Sequence, residues 1–340
     1  MMDLVLRAAR HDVLLSHLAL FGLGAIVDDR FGSHATRISW STGMDPRPVV
    51  TVDGAQAPEL AAAVVEHATT HTQPGSWVQE QMEGIRPAPA LLSPRIANVA
   101  PEQWESVNRQ REEVIDRVWS RGEILDLRLI GALGRPGGWY QRPNNVVMQS
   151  AGASAYEMQP RNQGSEFVGT RLRALSAAVG ARSTEAILAG LTSAPDIDDR
   201  KGVRPVADLT PAGDADVAMA WAACWGMTLL PVVQGRVWGS AATAGHLRKR
   251  RTEAFVLPVW SRPLRMARVR ALLVDGRLGT AVERQVLREA DAPESPAERA
   301  ARRWLRSASV RALTTFRITE HGGTSAPQRR AGLGRLHPVG

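Results

Sequence analysis

The chain has a single cysteine and only two lysines in 340 residues. Cys224 has no partner within the chain, so no disulfide framework holds this fold, and a reducing cytoplasm fits. The opening residues, MMDLVLRAARHDVLL, lack the apolar segment and small-residue cleavage site of a secretory signal, which argues against export. Long hydrophobic runs are scarce as well. The longest, Val217 to Val233, is rich in small residues, contains Pro231 and falls just short of a comfortable membrane span, so it reads as a buried helix. Three catalytic signatures are missing: the G-x-S-x-G elbow, a glycine loop ending in Lys-Ser or Lys-Thr, and a cysteine with its own local motif. The expectation is a protein that is not an enzyme, uses no cofactor and does not enter a membrane.

Arginine is what the chain has in excess. Lys and Arg together number 42 against 34 Asp and Glu, a net charge of +8, and all of those bases except Lys201 and Lys249 are arginine. GC-rich codon usage would account for the choice of arginine over lysine but not for the placement of the bases. From residue 201 onward there are 23 bases and 11 acids, against 19 and 23 before it. The densest stretch runs from Gly245 to Arg270, GHLRKRRTEAFVLPVWSRPLRMARVR. It holds Arg248, Lys249, Arg250 and Arg251 in one run, then Arg262, Arg265, Arg268 and Arg270. Like charges packed this closely repel, and guanidinium groups do not escape by losing a proton. A phosphate backbone along a common surface would relieve the repulsion; the alternative is a charged hairpin that stays solvated. Arg302, Arg303 and Arg306 repeat the helical spacing of Arg265 and Arg268 further on.

Hydrophobic periodicity predicts a mixed α+β chain with short antiparallel sheets and a helix-rich C-terminal part. A helix over 12–29 is followed by a β-hairpin over 35–52, and Pro58 opens the next helix at a first-turn position where its missing N–H costs little. The clearest solvent-facing helix spans 101–121. Further helices are expected near 165–179, 184–191, 215–230, 263–275, 279–290 and 296–315, with 232–238 and 254–260 as a pair of strands. The organisation this suggests is an N-terminal α+β domain over 1–130, a Gly/Pro/Asn-rich loop over 131–165, a basic, helix-rich domain over 166–320 and a flexible basic tail over 321–340.

Two further constellations bear on function: one would add base reading to the phosphate contacts, the other is a rival. Within the loop, Arg135, Arg142, Asn144 and Asn145 carry donor and acceptor pairs that match base edges, while Trp139 and Tyr140 have faces that stack or wedge. An ordinary loop whose aromatics pack back on the domain is the alternative. The other constellation is histidine-based. His67 and His71 stand four apart on a helix, the spacing of two metal ligands on one face, but Glu66 precedes the first His rather than following it as the zincin pattern requires. His11-Asp12 matches the dipeptide of a group of metal-dependent phosphohydrolases without the further spaced ligands. Asp196, Asp198 and Asp199 sit beside Arg200 and Lys201 in a loop and read as a solvated turn. No metal site is expected, and a metal-dependent nuclease or phosphohydrolase using His11, Asp12, His67 and His71 is the rival reading.

Two segments resemble a known family. HLALFGLGAIVDD followed by ATRISW, and FVLPVWSRPLRMARVRALLVDGRL, are similar to parts of the large-subunit proteins of type I CRISPR effector complexes, subtype I-G, formerly I-U. The likeness centres on Leu257, Pro258, Trp260, Ser261, Arg262 and Pro263 and covers about a fifth of the chain directly. Large subunits of this subtype are usually longer, so this would be a compact form. The resemblance implies a cytoplasmic hetero-oligomer in antiviral defence: a subunit bound to guide RNA, target DNA and other subunits, which reads a short motif beside the target and helps recruit a helicase-nuclease. In such systems base pairing reads the sequence while the protein reads the flanking duplex. No residue roles carry over from the family, so the expected phosphate and base contacts rest on the residues named above.

Overall fold

The structure, a computed structural model, describes residues 1–32, 34–86, 88–94, 99–134, 153–157, 167–193, 215–234, 241–249, 252–287, 293–321 and 328–340. In chain order the elements are β1 (Met2–Val5), α1 (Leu14–Phe31), β2 (Thr36–Trp40), β3 (Pro48–Val52), α2 (Ala57–Thr70), α3 (Trp104–Ser120), α4 (Ile124–Leu133), α5 (Arg173–Gly180) and α6 (Thr184–Thr192). There follow α7 (Val217–Gly226), β4 (Val232–Gln234), β5 (Ala241–Thr243), β6 (His246–Lys249), β7 (Thr252–Trp260), β8 (Leu264–Arg265), α8 (Met266–Leu273), α9 (Arg277–Thr280) and α10 (Glu283–Val286). The chain closes with α11 (Pro296–Ser307), β9 (Val310–His321), β10 (Gln328–Ala331) and β11 (Arg335–Pro338). The fold is α+β, as the sequence leads one to expect.

Two helices form the axis of the molecule. Every residue of α1 from Leu14 to Val27 is buried, and so is all of α7, which is what helices apolar on every side require. They cross at two glycines. A Cβ on Gly22 would lie 1.8 Å from the Ala222 carbonyl oxygen, and one on Gly226 would lie 2.0 Å from that of Leu18. Only residues without a side chain permit backbones to approach so closely. Around this pair α2 begins on its capping interaction, in which the Glu59 carboxylate accepts the Gln56 N–H at 2.6 Å. Among the described residues no helix is long and apolar enough to cross a membrane.

One sheet has the order β1-β3-β2-β8 and is antiparallel throughout, with Ile38 opposite both Val50 and Leu264. The larger sheet is built on β9, which pairs with β7 along one edge and with β10 and β11 along the other, while β6 extends it beyond β7. The Trp260 indole N–H donates to the Ile38 carbonyl at 2.9 Å and joins the end of β7 to the first sheet. Helix α11 turns Ala301 and Leu305 inward, while Arg299, Arg303 and Arg306 are exposed.

Several expectations need correction. The helix expected over 296–315 ends at Ser307; Ser309 takes a left-handed conformation (φ 69°), after which Val310, Thr314, Thr315, Phe316 and Ile318 run as a strand suited to β-branched and aromatic residues. The strands near 232 and 254 both exist but do not pair: β4 pairs with β5, and β7 with β6 and β9. The tail expected to be flexible holds β10 and β11, with His337 against Thr315 at 2.8 Å. Residues 1–130 and 166–320 share one core, and β8 from the second half completes the sheet of the first. The C-terminal part is rich in helices, as expected, and carries the larger sheet as well.

Candidate functional site

The basic segment divides around β7. Arg248 and Lys249 lie on β6, opposite Glu253 and Thr252; Arg250 and Arg251 fall outside the described residues. Lys249 is ion-paired with Glu283, while Arg248 is exposed and makes no ion pair among the described residues. Its cross-strand neighbour Glu253 is occupied by His246 at 2.7 Å and by Arg329. From Thr252 to Trp260 the extended strand covers about 26 Å. Beyond its far end stand Arg262, Arg265 and Arg268. The bases expected to share a single patch thus fall, among the described residues, into two clusters.

The second cluster is uncompensated. Arg262, Arg265 and Arg268 are all exposed, and none makes an ion pair with a carboxylate among the described residues. Arg265 is the extended N-cap residue of α8, whose first turn contains no acid. The positive end of the helix dipole therefore adds to the guanidinium charges. Across β2 and β8, Arg265 faces Arg37, whose charge is engaged by Asp53 at 2.8 Å. Arg270, one turn on, points inward instead and donates to the Thr228 carbonyl at 3.3 Å; burial lowers its pKa, and Arg128 adds to the effect. On α11, Arg302 is tied to Glu298 at 3.4 Å and Glu294 at 3.5 Å, whereas Arg303 and Arg306 are exposed. The expected base-edge residues Arg135, Arg142, Asn144 and Asn145 lie outside the described residues, as do Asp196, Asp198 and Asp199.

The histidines occupy two separate places at either end of α1. His11 lies 3.6 Å from Asp45, Asp12 is paired with Arg10, and the His11 carbonyl accepts from buried His17 at 2.8 Å. At the other end, the last turn of α1 lines a cavity of about 380 Å³ together with His67, His71, Trp77 and Asp126. His17 and Asp29 are twelve residues apart on one helix, about 18 Å along its axis.

At that cavity the His71 ring donates through Nδ1 to the His67 carbonyl at 2.6 Å and through Nε2 to Asp126 Oδ1 at 2.7 Å. A ring that donates twice is an imidazolium. Burial opposes its charge, but the hydrogen bond and charge of Asp126 outweigh that, and the pKa of His71 is raised. The Trp77 indole N–H donates to the same Asp126 oxygen at 2.5 Å. His67 behaves oppositely: its Nδ1 accepts from the Trp221 indole at 3.2 Å, and burial, followed by the charge on His71, holds its pKa well below the usual histidine value. Its Nε2 is buried with no hydrogen-bond partner among the described residues. Trp225 closes over both rings, edge-on to His67 at 4.2 Å and to His71 at 4.8 Å. Among the described residues no group of three His, Cys, Asp or Glu side chains is arranged to hold a metal ion.

The H-x-x-x-H spacing is visible in the sequence, and Trp77 is close by, but Asp126, Trp221 and Trp225, which also determine what the pair does, lie 55 or more residues from His71. Only the unusual density of tryptophan in Trp221 and Trp225 could have signalled them. Cys224, between those two tryptophans, is buried, and burial pushes its thiol up to about 12, so it is an inert core residue. Comparison with protein-family models and with curated proteins finds no match for this chain.

Proposed function

We propose that this chain is a non-catalytic, nucleic-acid-binding subunit of a type I CRISPR interference complex, working in the cytoplasm with guide RNA, target DNA and other subunits. The observation that carries this reading is the uncompensated cluster of Arg262, Arg265 and Arg268 at the start of α8. Exposed arginines cost little singly, but three in seven residues beside a positive helix end repel one another, and a row of phosphates offsets that repulsion with charge-assisted, forked hydrogen bonds. The cluster also falls inside the 255–278 segment that resembles the large subunits. Arg248 on β6, with Lys249, Arg250 and Arg251, forms a second phosphate-facing group in this reading, and Arg135, Arg142, Asn144 and Asn145 lie near base edges beside the target. The complex then recruits a separate helicase-nuclease.

Fluorescence anisotropy with labelled duplex DNA tests the reading. The R262Q/R265Q/R268Q variant is expected to bind at least about tenfold more weakly than wild type. Equal affinity at physiological salt would remove the basis for the assignment.

A further inference from the structure

The cavity beside His71 is electronegative for reasons unrelated to the basic surface. Four carboxylates line it, those of Asp29, Glu66, Glu123 and Asp126, against Arg30, Arg121 and the His71 imidazolium. Arg30 is taken by Glu66 at 2.9 Å, and Arg121 stands 3.9 Å from Glu123. Asp126 holds His71 and Trp77. The Asp29 side chain has no hydrogen bond or ion pair among the described residues, and the charge of nearby Arg128 partly offsets its own.

Backbone dipoles strengthen the field. The cavity receives the last turn of α1 and the last turn of α2, two helices of 18 and 14 residues, each with the negative end of its dipole directed there. Glu123 and Asp126 sit at the favourable N-terminal end of α4, but Asp28 and Asp29 sit at the unfavourable C-terminal end of α1. Carboxylates in that position are destabilising unless a cation joins them. Partial burial and then the charge of Asp126 push the pKa of Asp29 up, and Glu123 is raised by the same two causes in the same order. The volume lies within the range of about 300–1,000 Å³ usual for small-molecule sites. Among the described residues its donors are not arranged to hold a metal ion.

We propose that this cavity binds an organic cation, a primary ammonium or a guanidinium group, with Asp29 as its main counter-charge and the ends of α1 and α2 as supporting dipoles. The proposal is independent of nucleic-acid binding, which uses the opposite sign of charge elsewhere on the molecule. Such a cation comes either from a free amine or from an arginine side chain of a partner subunit.

Calorimetry at low salt with agmatine and with N-acetylarginine amide separates the sources. One-site binding of agmatine alone points to a free amine, and equal binding of the capped arginine points to a partner's side chain. In either case Asp29→Asn, in the last turn of α1, is expected to weaken binding about tenfold or more, while Glu105→Gln, an exposed acid on α3 outside the cavity, leaves it unchanged. Failure of both probes to bind below about 10 mM, or affinity unaltered by Asp29→Asn in a variant with wild-type urea midpoint, would overturn the proposal.

Discussion

Arg37 and Arg265 stand directly opposite each other across the antiparallel pairing of β2 and β8. Like charges in cross-strand positions destabilise a sheet. Arg37 answers this with Asp53, while Arg265 has no such carboxylate among the described residues. Substituting Arg265 by Gln is therefore expected to leave urea stability unchanged or raise it by about 0.2–1 kcal/mol while weakening DNA binding. A stability gain paired with a binding loss marks a residue kept for a ligand; a stability loss of similar size marks a structural one.

The two basic clusters are separated by the length of β7, about 26 Å. At a rise of about 3.4 Å per base pair, a duplex must be about 8 bp long to touch both. Binding of duplexes of about 6 bp should then be insensitive to changes in one of the two clusters at a time, whereas at about 20 bp changes in Arg248 and in Arg262, Arg265 and Arg268 should each weaken binding. Competition assays over a length series check this.

The glycine crossing of α1 and α7 predicts intolerance of the smallest substitution. Gly22→Ala and Gly226→Ala each place a methyl group against backbone that cannot turn aside, and each is expected to cost about 3 kcal/mol, the upper end of overpacking penalties. Urea denaturation reads the loss directly. Gly276→Ala, where an added Cβ meets nothing within 4 Å, serves as the tolerant control.

Stability is expected to fall on both sides of neutrality, for opposite reasons. The pKa of His71 is raised in the folded state, so its contribution is fully present below about 6.5 and is lost as pH rises through the folded value. His17 is lowered to about 3, chiefly by burial, and His337 to about 4; both are neutral when folded, so their contribution is present above about 6.5 and declines as pH falls toward those values. Urea midpoints measured across pH should show His71→Gln removing the alkaline decline while the acid decline persists. An unaltered alkaline limb in that variant would refute the imidazolium assignment.

What the residues alone reveal depends on how local the controlling interactions are. Helix α2, the β2–β3 hairpin and α3 are readable because their periodicity, Pro58 and the turn between Gly43 and Pro46 are encoded within a few residues. Strand β9 was not, because Ala308 and Ser309 let the helical spacing of α11 run on until the left-handed Ser309 stops it. β10 and β11 are strands only because β9 offers its edge to them. The same holds for chemistry: Arg262, Arg265 and Arg268 can be read as a charged group, but whether each would meet a carboxylate could not. His67 and His71 show ligand spacing, yet Asp126 and Trp221 assign one ring a charge and the other none.

The salt dependence of DNA affinity tests the central claim most directly. Each lost phosphate contact should reduce the slope of log K against log salt by about 0.9, so R262Q/R265Q/R268Q should reduce it by about 2 to 3. A variant whose slope and affinity match the wild type between about 50 and 200 mM salt would contradict the claim that these arginines face phosphates.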